Sequence, residues 1–123
     1  MKTKVLIVDD ASTIRMYLRS LLESPHRDVF EARDGVEALE LLASVTPDFA
    51  IVDINMPGMD GFELLRRMRQ RPETRGTPVL MCSTESRPID EHSAYVAGAC
   101  YYIRKPAPPD LVTGLATILE TGL

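Results

Sequence analysis

No stretch of this sequence approaches the roughly 18 consecutive apolar residues that a membrane-spanning helix needs. Helical membrane proteins are therefore excluded. Cysteine is scarce: Cys82 and Cys100 lack the close spacing of a zinc or redox pair. Both are expected as small core residues, and their places at opposite ends of neighbouring strands put them too far apart to bridge. A basic excess is also missing, with 14 Lys and Arg against 18 Asp and Glu and a formal charge of -4. The positive side chains form no stripe, so direct nucleic-acid binding is not expected. Repeats, low-complexity tracts and internal linkers are absent. The opening Met1-Lys2-Thr3-Lys4 leads into only four apolar residues before Asp9, too few for a signal peptide, so a cytoplasmic protein without membrane insertion is expected.

What is present is globular: 45% hydrophobic and 26% charged residues in 123, the length of one domain spanning 1–123. Four short apolar runs, Val5 to Val8, Phe49 to Val52, Val79 to Cys82 and Tyr101 to Ile103, and a weaker one at Val29-Phe30, read as strands. Apolar residues at consecutive positions suit strands covered on both faces, as in a parallel sheet. Helical periods lie between them. Ile14, Tyr17, Leu18, Leu21 and Leu22 mark the first, capped by Ser12 or Thr13 and ending near Ser24-Pro25. Val36, Leu39, Leu42 and Ala43 follow Asp34-Gly35, and Phe62, Leu64, Leu65 and Met68 follow Asp60-Gly61. Leu111, Leu115, Ile118 and Leu119 follow Pro108-Pro109. The segment from about Pro88 to Ala99 has only Ile89, Tyr95, Val96 and alanines to bury, and should be the least firmly held. Five βα units with right-handed crossovers give an α/β fold, a doubly wound parallel sheet with five helices on both faces.

In such a sheet the ligand site forms beyond the carboxyl ends of the strands. Those ends carry Asp9-Asp10, Asp53, Ser83-Thr84 and Lys105-Pro106. In a 2-1-3-4-5 strand order the first and third strands are neighbours, and Asp9, Asp10 and Asp53 converge. Each close carboxylate pair then repels by roughly 3–4 kcal/mol at an effective dielectric near 20, so several pairs rival a domain's stability of about 5–15 kcal/mol. Protonation relieves this, but a hard divalent cation such as Mg2+ does so better. Lys105 adds a fixed positive charge. A metal, a carboxylate, an ammonium and a hydroxyl together equip a site for phosphoryl transfer, with Asp53 as nucleophile and Ser83 as a donor to a phosphoryl oxygen. Taken singly, each Asp reads as a helix cap or turn residue, Lys105 as a solvated lysine, and Ser83 and Thr84 as turn formers. It is their occurrence together at four strand ends that argues for chemistry. Asn55, two residues past Asp53, can lend its backbone carbonyl to the cation.

The stretches VLIVDDAST, PDFAIVDINMPGMDGFELLRRMR, TPVLMCSTES and AGACYYIRKP resemble, in order and over nearly the whole chain, the receiver domains of bacterial two-component response regulators. The single-domain chemotaxis type is an especially close likeness. The resemblance implies the flavodoxin-like receiver fold and a phosphorylation-activated switch. Asp53 would accept a phosphoryl group from the phosphohistidine of a sensor histidine kinase or phosphotransfer protein. Asp10, Asp53 and the Asn55 carbonyl would hold Mg2+, with Asp9 acting through a metal-bound water. Lys105 would contact the phosphoryl group, through a cis Lys105-Pro106 bond. Ser83 and Tyr102 would be the switch residues, Ser83 moving toward the phosphoryl group while Tyr102 turns inward. That would alter a surface of the fourth helix, fifth strand and fifth helix, read by a downstream protein partner. Asn55 and Glu85 would tune the phosphorylated lifetime. The chain would catalyse its own phosphorylation and dephosphorylation without being a conventional enzyme. The kinase is expected to dock on the first helix through exposed Arg15 and Arg19, and a homodimer through the output face is open.

Two positions depart from the family pattern. Ala107 follows Lys-Pro where an aromatic is common, and Tyr101 stands where the family has a small or acidic residue, as a partner contact or as core filling. Haloacid dehalogenase-like phosphatases need a second Asp at the position of Asn55, and a flavodoxin-like cofactor binder needs an anion-cradling loop where Asp9-Asp10 would repel phosphate. A phosphorylation-independent interaction module is the nearer rival, although it usually lacks acidic-pocket or lysine residues that are all present here. The absence of an output domain leaves a stand-alone regulator or a receiver from a longer regulator or hybrid kinase; Met1 and the short tail after Leu119 favour the former.

Overall fold

Strands that are apolar at every position need cover on both faces, and the computed structural model, which describes residues 2–84 and 88–121, supplies it. Strands β1 (Thr3–Val8), β2 (Arg27–Ala32), β3 (Phe49–Asp53), β4 (Val79–Ser83) and β5 (Tyr101–Arg104) alternate with helices α1 (Ser12–Leu22), α2 (Gly35–Leu42), α3 (Gly61–Gln70), α4 (Pro88–Val96) and α5 (Pro109–Thr121). All pairings are parallel, in the order β2-β1-β3-β4-β5. Alternate residues of the central strands divide between two cores. Val5, Ile7, Phe49, Ile51 and Leu80 face Leu18 and Leu22 of α1 and Val112 and Ala116 of α5. Leu6, Val8, Val52, Val79 and Met81 face Leu42 of α2, Leu64, Leu65 and Met68 of α3, and Ala94 of α4. The fold is the doubly wound arrangement expected from the sequence.

Helix entries follow local side-chain chemistry. Asp34 and Asp60 cap α2 and α3 by accepting from the N–H groups of Glu37 and Glu63, at 2.8 and 2.9 Å. For α1 the expectation fails: the cap position is Ala11, not Ser12 or Thr13, and no side chain caps it. The helix begins early because Asp9, closing the preceding turn, accepts from the Ala11 N–H at 2.9 Å.

The apolar faces of three helices also differ from expectation. Val36 is 56% exposed, while the expected Leu42 is buried and Leu39 packs against the core, joined by Gly35 and Ala38. Ile118 stands outward while Val112 and Ala116 are buried. On α4 the difference is largest: Tyr95 and Val96 are exposed, Val96 by 73%, and the described face that packs is Ala94 with Ala97. Small residues there let the helix lie close to the sheet. Cys82 is buried, but Cys100 is exposed, because it precedes β5 at the open end of that edge strand rather than lying within the sheet.

Gly61 is required by close approach. A Cβ there would collide with the carbonyl oxygen of Asp53 and fall within 2.8 Å of the Ile54 Cα, both backbone atoms that cannot turn aside. The Gly61 N–H donates to the Ile54 carbonyl at 2.9 Å, folding the β3–α3 loop tightly back on the strand end. Gly61→Ala is expected to lower stability by about 2 kcal/mol or more, measured as a shift in the urea midpoint at unchanged slope.

Candidate functional site

The carboxyl ends of β1, β3, β4 and β5 meet at one edge of the sheet. Register places Asp53 beside Cys82, and the Ile54 N–H donates to the Cys82 carbonyl at 2.9 Å, so β3 and β4 stay paired to their last residues. The Lys105 N–H likewise donates to the Ser83 carbonyl at 2.8 Å. Two backbone ladders thereby fix the starting points of Asp53, Ser83 and Lys105. The Lys105-Pro106 bond is cis, as expected.

Side chains converge from these ends. Asp9, Asp10 and Asp53 can each offer a carboxylate oxygen within 4.8 Å of the others, with Asp10 exposed and Asp9 and Asp53 buried. Lys105 Nζ donates to Asp9 Oδ2 at 2.7 Å and lies 3.0 Å from Asp53 Oδ1. Asn55 donates twice, from its backbone N–H to Asp53 Oδ1 at 3.3 Å and from Nδ2 to the buried Ser83 Oγ at 3.0 Å. One ammonium thus stands among three carboxylates. Residual negative charge in a partly closed pocket is what a hard cation with oxygen ligands neutralises, so the residues fit a divalent metal.

The electrostatics carry the same imprint. Burial, and then the negative charge of Asp9, push the Asp53 carboxyl up from an ordinary 3.8 to about 6, against the lowering effects of Lys105 and the Asn55 N–H. Burial by itself would depress the Lys105 ammonium, yet its hydrogen bonds to Asp9 and Asp53 prevail and raise it. Burial pushes the Cys82 thiol up to about 12, which leaves it protonated and chemically quiet behind the site.

All the described residues expected at the site are brought together: Asp9, Asp10, Asp53, Asn55, Ser83 and Lys105. Glu85 lies outside the described residues. Tyr102 is turned in, only 7% exposed and packed with the core that includes Ala94 and Ala99. Small alanines beside it on α4 and in the α4–β5 connection leave the ring room inside. Tyr101 is partly exposed on β5, which removes core filling as its role.

Arg15 and Arg19 are not fully exposed as expected: both are half-buried. Arg15 Nε and Arg19 Nε hold Glu31 at 3.0 and 2.6 Å, and Arg19 also pairs with Glu23. Arg15 Nη1 further donates to the Asp9 carbonyl at 2.6 Å. The contact lies out of reach of sequence patterning, since Arg15 reads as a solvent-facing helix position until β2 brings Glu31 alongside. Tyr17 was likewise read only as a core residue, although its hydroxyl reaches the Ala107 carbonyl at 2.7 Å. Among the described residues, no helix is long and apolar enough to cross a membrane.

Comparison with known proteins agrees with this geometry. The family model for the response regulator receiver domain matches residues 5–116. A chemotaxis protein CheY homolog from Campylobacter jejuni is 38% identical over 122 residues, covering 97% of this chain and 94% of the relative. Among solved structures, the chemotaxis response regulator CheY4 of Vibrio cholerae superposes with a TM-score of 0.88 at 33% identity, covering 97% of this chain and 99% of that one. The phosphorylated cyanobacterial phytochrome response regulator RcpA superposes with a TM-score of 0.88 at 25% identity, covering 100% of this chain and 97% of its own. The chain belongs to the response regulator receiver domain family, the phosphorylation-activated switches of two-component signalling.

Proposed function

We propose that the chain, as one domain over 1–123, takes a phosphoryl group onto Asp53 from the phosphohistidine of a sensor histidine kinase or phosphotransfer protein. The observation that carries this is the position of Asp53 Oδ1, 3.0 Å from Lys105 Nζ within the cluster of three aspartates. The Asp53 oxygen forms a bond to phosphorus as the P–N bond to the imidazole breaks, and the imidazole leaves with the electron pair and gains a proton. Mg2+ is the cofactor that suits this donor set, held by Asp10, Asp53 and the Asn55 carbonyl, with Asp9 acting through a water; it would offset the charge on the phosphoryl oxygens. Lys105 supplies a second positive charge already in place, which needs no reorganisation during transfer.

Ser83 is the relay. Its hydroxyl accepts from Asn55 Nδ2 in the unphosphorylated protein and is the donor available to a phosphoryl oxygen. Leaving Asn55 for that oxygen alters the packing between β4 and β5, where Tyr102 lies buried beside Ala94 and Ala99 of the α4 region. The partly exposed Tyr95, Val96 and Tyr101 give the α4-β5-α5 face an apolar surface for a downstream protein, or for a second copy. Such a protein would work in the cytoplasm, where its kinase's phosphohistidine is exposed. Asn55 and Glu85 are the positions expected to set how long the phosphoryl group persists.

Autophosphorylated histidine kinase of the two-component class, carrying radiolabel, tests the donor. Label is expected to move to the wild-type chain with Mg2+ and to remain on the kinase with Asp53→Asn; label on both chains, or on neither, contradicts the assignment. Ser83→Ala is expected to accept label at a rate within about threefold of wild type while losing the difference in partner binding between phosphorylated and unphosphorylated forms. Binding assays on both forms read this directly, and a variant that keeps the full difference removes Ser83 from the switch.

A further inference from the structure

The loop joining β5 to α5, taken with the first residue of the helix, reads Lys105-Pro106-Ala107-Pro108-Pro109. Three of these five residues are proline and have no backbone N–H, so the loop has few donors with which to hold itself in place. Its first residue is pinned to β4 through the Ser83 carbonyl, at 2.8 Å. Its middle is held from a different element: the Tyr17 hydroxyl of α1 donates to the Ala107 carbonyl at 2.7 Å, between residues 90 apart in sequence. Ala107 is buried. Tyr17 and Ala107 also line a cavity of about 30 Å³ together with Asp9, Asp53 and Lys105.

Helix α1 therefore grips both ends of the central ion pair. Arg15 Nη1 holds the Asp9 carbonyl at 2.6 Å, and Tyr17, two residues further on, holds the Ala107 carbonyl, two residues past Lys105. Between these anchors, Lys105 Nζ reaches Asp9 at 2.7 Å and Asp53 at 3.0 Å. A lysine side chain is long and freely rotating, and it delivers its charge to one point only when its backbone is fixed. Catalytic groups must be held to within about half an ångström by surrounding contacts to act at full rate.

We propose that Tyr17 is a positioning residue for phosphoryl transfer, its hydroxyl fixing the Ala107 carbonyl so that Lys105 stays aimed between Asp9 and Asp53. This rests on the assignment of Asp53 as phosphoacceptor. The hydroxyl, rather than the ring, carries the role, because the ring's packing against the α1 and α5 core would persist without it.

Tyr17→Phe keeps the ring and removes the donor, and Tyr17→Leu removes both. Phosphoryl uptake from acetyl phosphate is followed by intact mass at saturating Mg2+, Mg2+ affinity by NMR titration, and the Lys105 ammonium by its own 1H–15N signal. Tyr17→Phe is expected to slow maximal uptake about tenfold, with Mg2+ affinity within about twofold of wild type and the Lys105 signal broadened. Tyr17→Leu should do no better. Wild-type uptake and an unchanged Lys105 signal in Tyr17→Phe would overturn the proposal. So would a slower rate matched by an equal loss of Mg2+ affinity, since that marks general damage. If the wild-type chain itself takes up no phosphoryl group, the Asp53 assignment fails; the Lys105 signal then still decides, a broadened signal supporting the tie and an unchanged one refuting it.

Discussion

Asp53→Asn is expected to abolish phosphoryl uptake and, without metal, to make the protein more stable at neutral pH. The two effects share a cause. Asp53 is buried beside Asp9, and its carboxyl is raised from 3.8 to about 6, so the folded protein holds this proton more tightly than the unfolded chain does. Stability from this group is therefore complete below about pH 4 and is lost as pH rises through about 6. Above that range the ionised carboxylate costs about 2–3 kcal/mol, from a shift of roughly two pKa units at about 1.4 kcal/mol each. An uncharged amide of the same shape still accepts from Lys105 and the Asn55 N–H, and it does not carry that cost. Urea unfolding in EDTA should show the variant more stable by about 2–3 kcal/mol at pH 7.5, and its advantage should vanish near pH 4. Saturating Mg2+ should narrow the gap, because only the wild type gains from a full set of carboxylate ligands. A variant less stable than wild type at pH 7.5 would show that the aspartates are not in conflict.

Lys105→Ala should have the opposite effect on stability and a large, though not complete, effect on chemistry. It removes the ammonium that lies 2.7 Å from Asp9 and 3.0 Å from Asp53, leaving two buried carboxylates without their counter-charge. Both of its hydrogen bonds lower the demand on those groups, so Asp53 is expected to titrate above about 6 in the variant, followed by carboxylate NMR without metal. Phosphoryl uptake should fall by about 100-fold or more, the loss typical of removing one preorganised donor from a developing charge. Mg2+ should bind as well as before or better, since a repelling cation is gone. Weaker Mg2+ binding would instead mean that Lys105 shapes the pocket rather than the chemistry.

The fold was legible because its signals are local and repeated. Continuous apolar strands at Val5 to Val8 and Phe49 to Val52 can exist only with cover on both faces, and Asp34-Gly35 and Asp60-Gly61 announce helix entries that the structure realises as capped turns. The site was legible for a similar reason: strand ends converge in a doubly wound sheet, so Asp9, Asp53, Ser83 and Lys105 could be placed together before any distance was known. Contacts between faces were not. Whether Arg15 points to solvent depends on Glu31 of β2, and whether Tyr17 is only packing depends on a carbonyl 90 residues away. Helical period likewise marks an apolar stripe without saying which residues the sheet will reach. Val96 and Ile118 fall on the outer side of their helices, while Ala94, Val112 and Ala116 meet the strands. The inward position of Tyr102 follows from the same packing and could not be read from its place on β5.

The central claim is that Asp53 is a metal-assisted phosphoacceptor. Intact mass after incubation with Mg2+ and acetyl phosphate tests it most directly, with an EDTA-treated sample and Asp53→Asn alongside. One phosphoryl group on the wild-type chain, absent from both controls, is the predicted result. A phosphoryl group that persists in Asp53→Asn, or no addition to a wild-type chain shown to bind Mg2+, would contradict it.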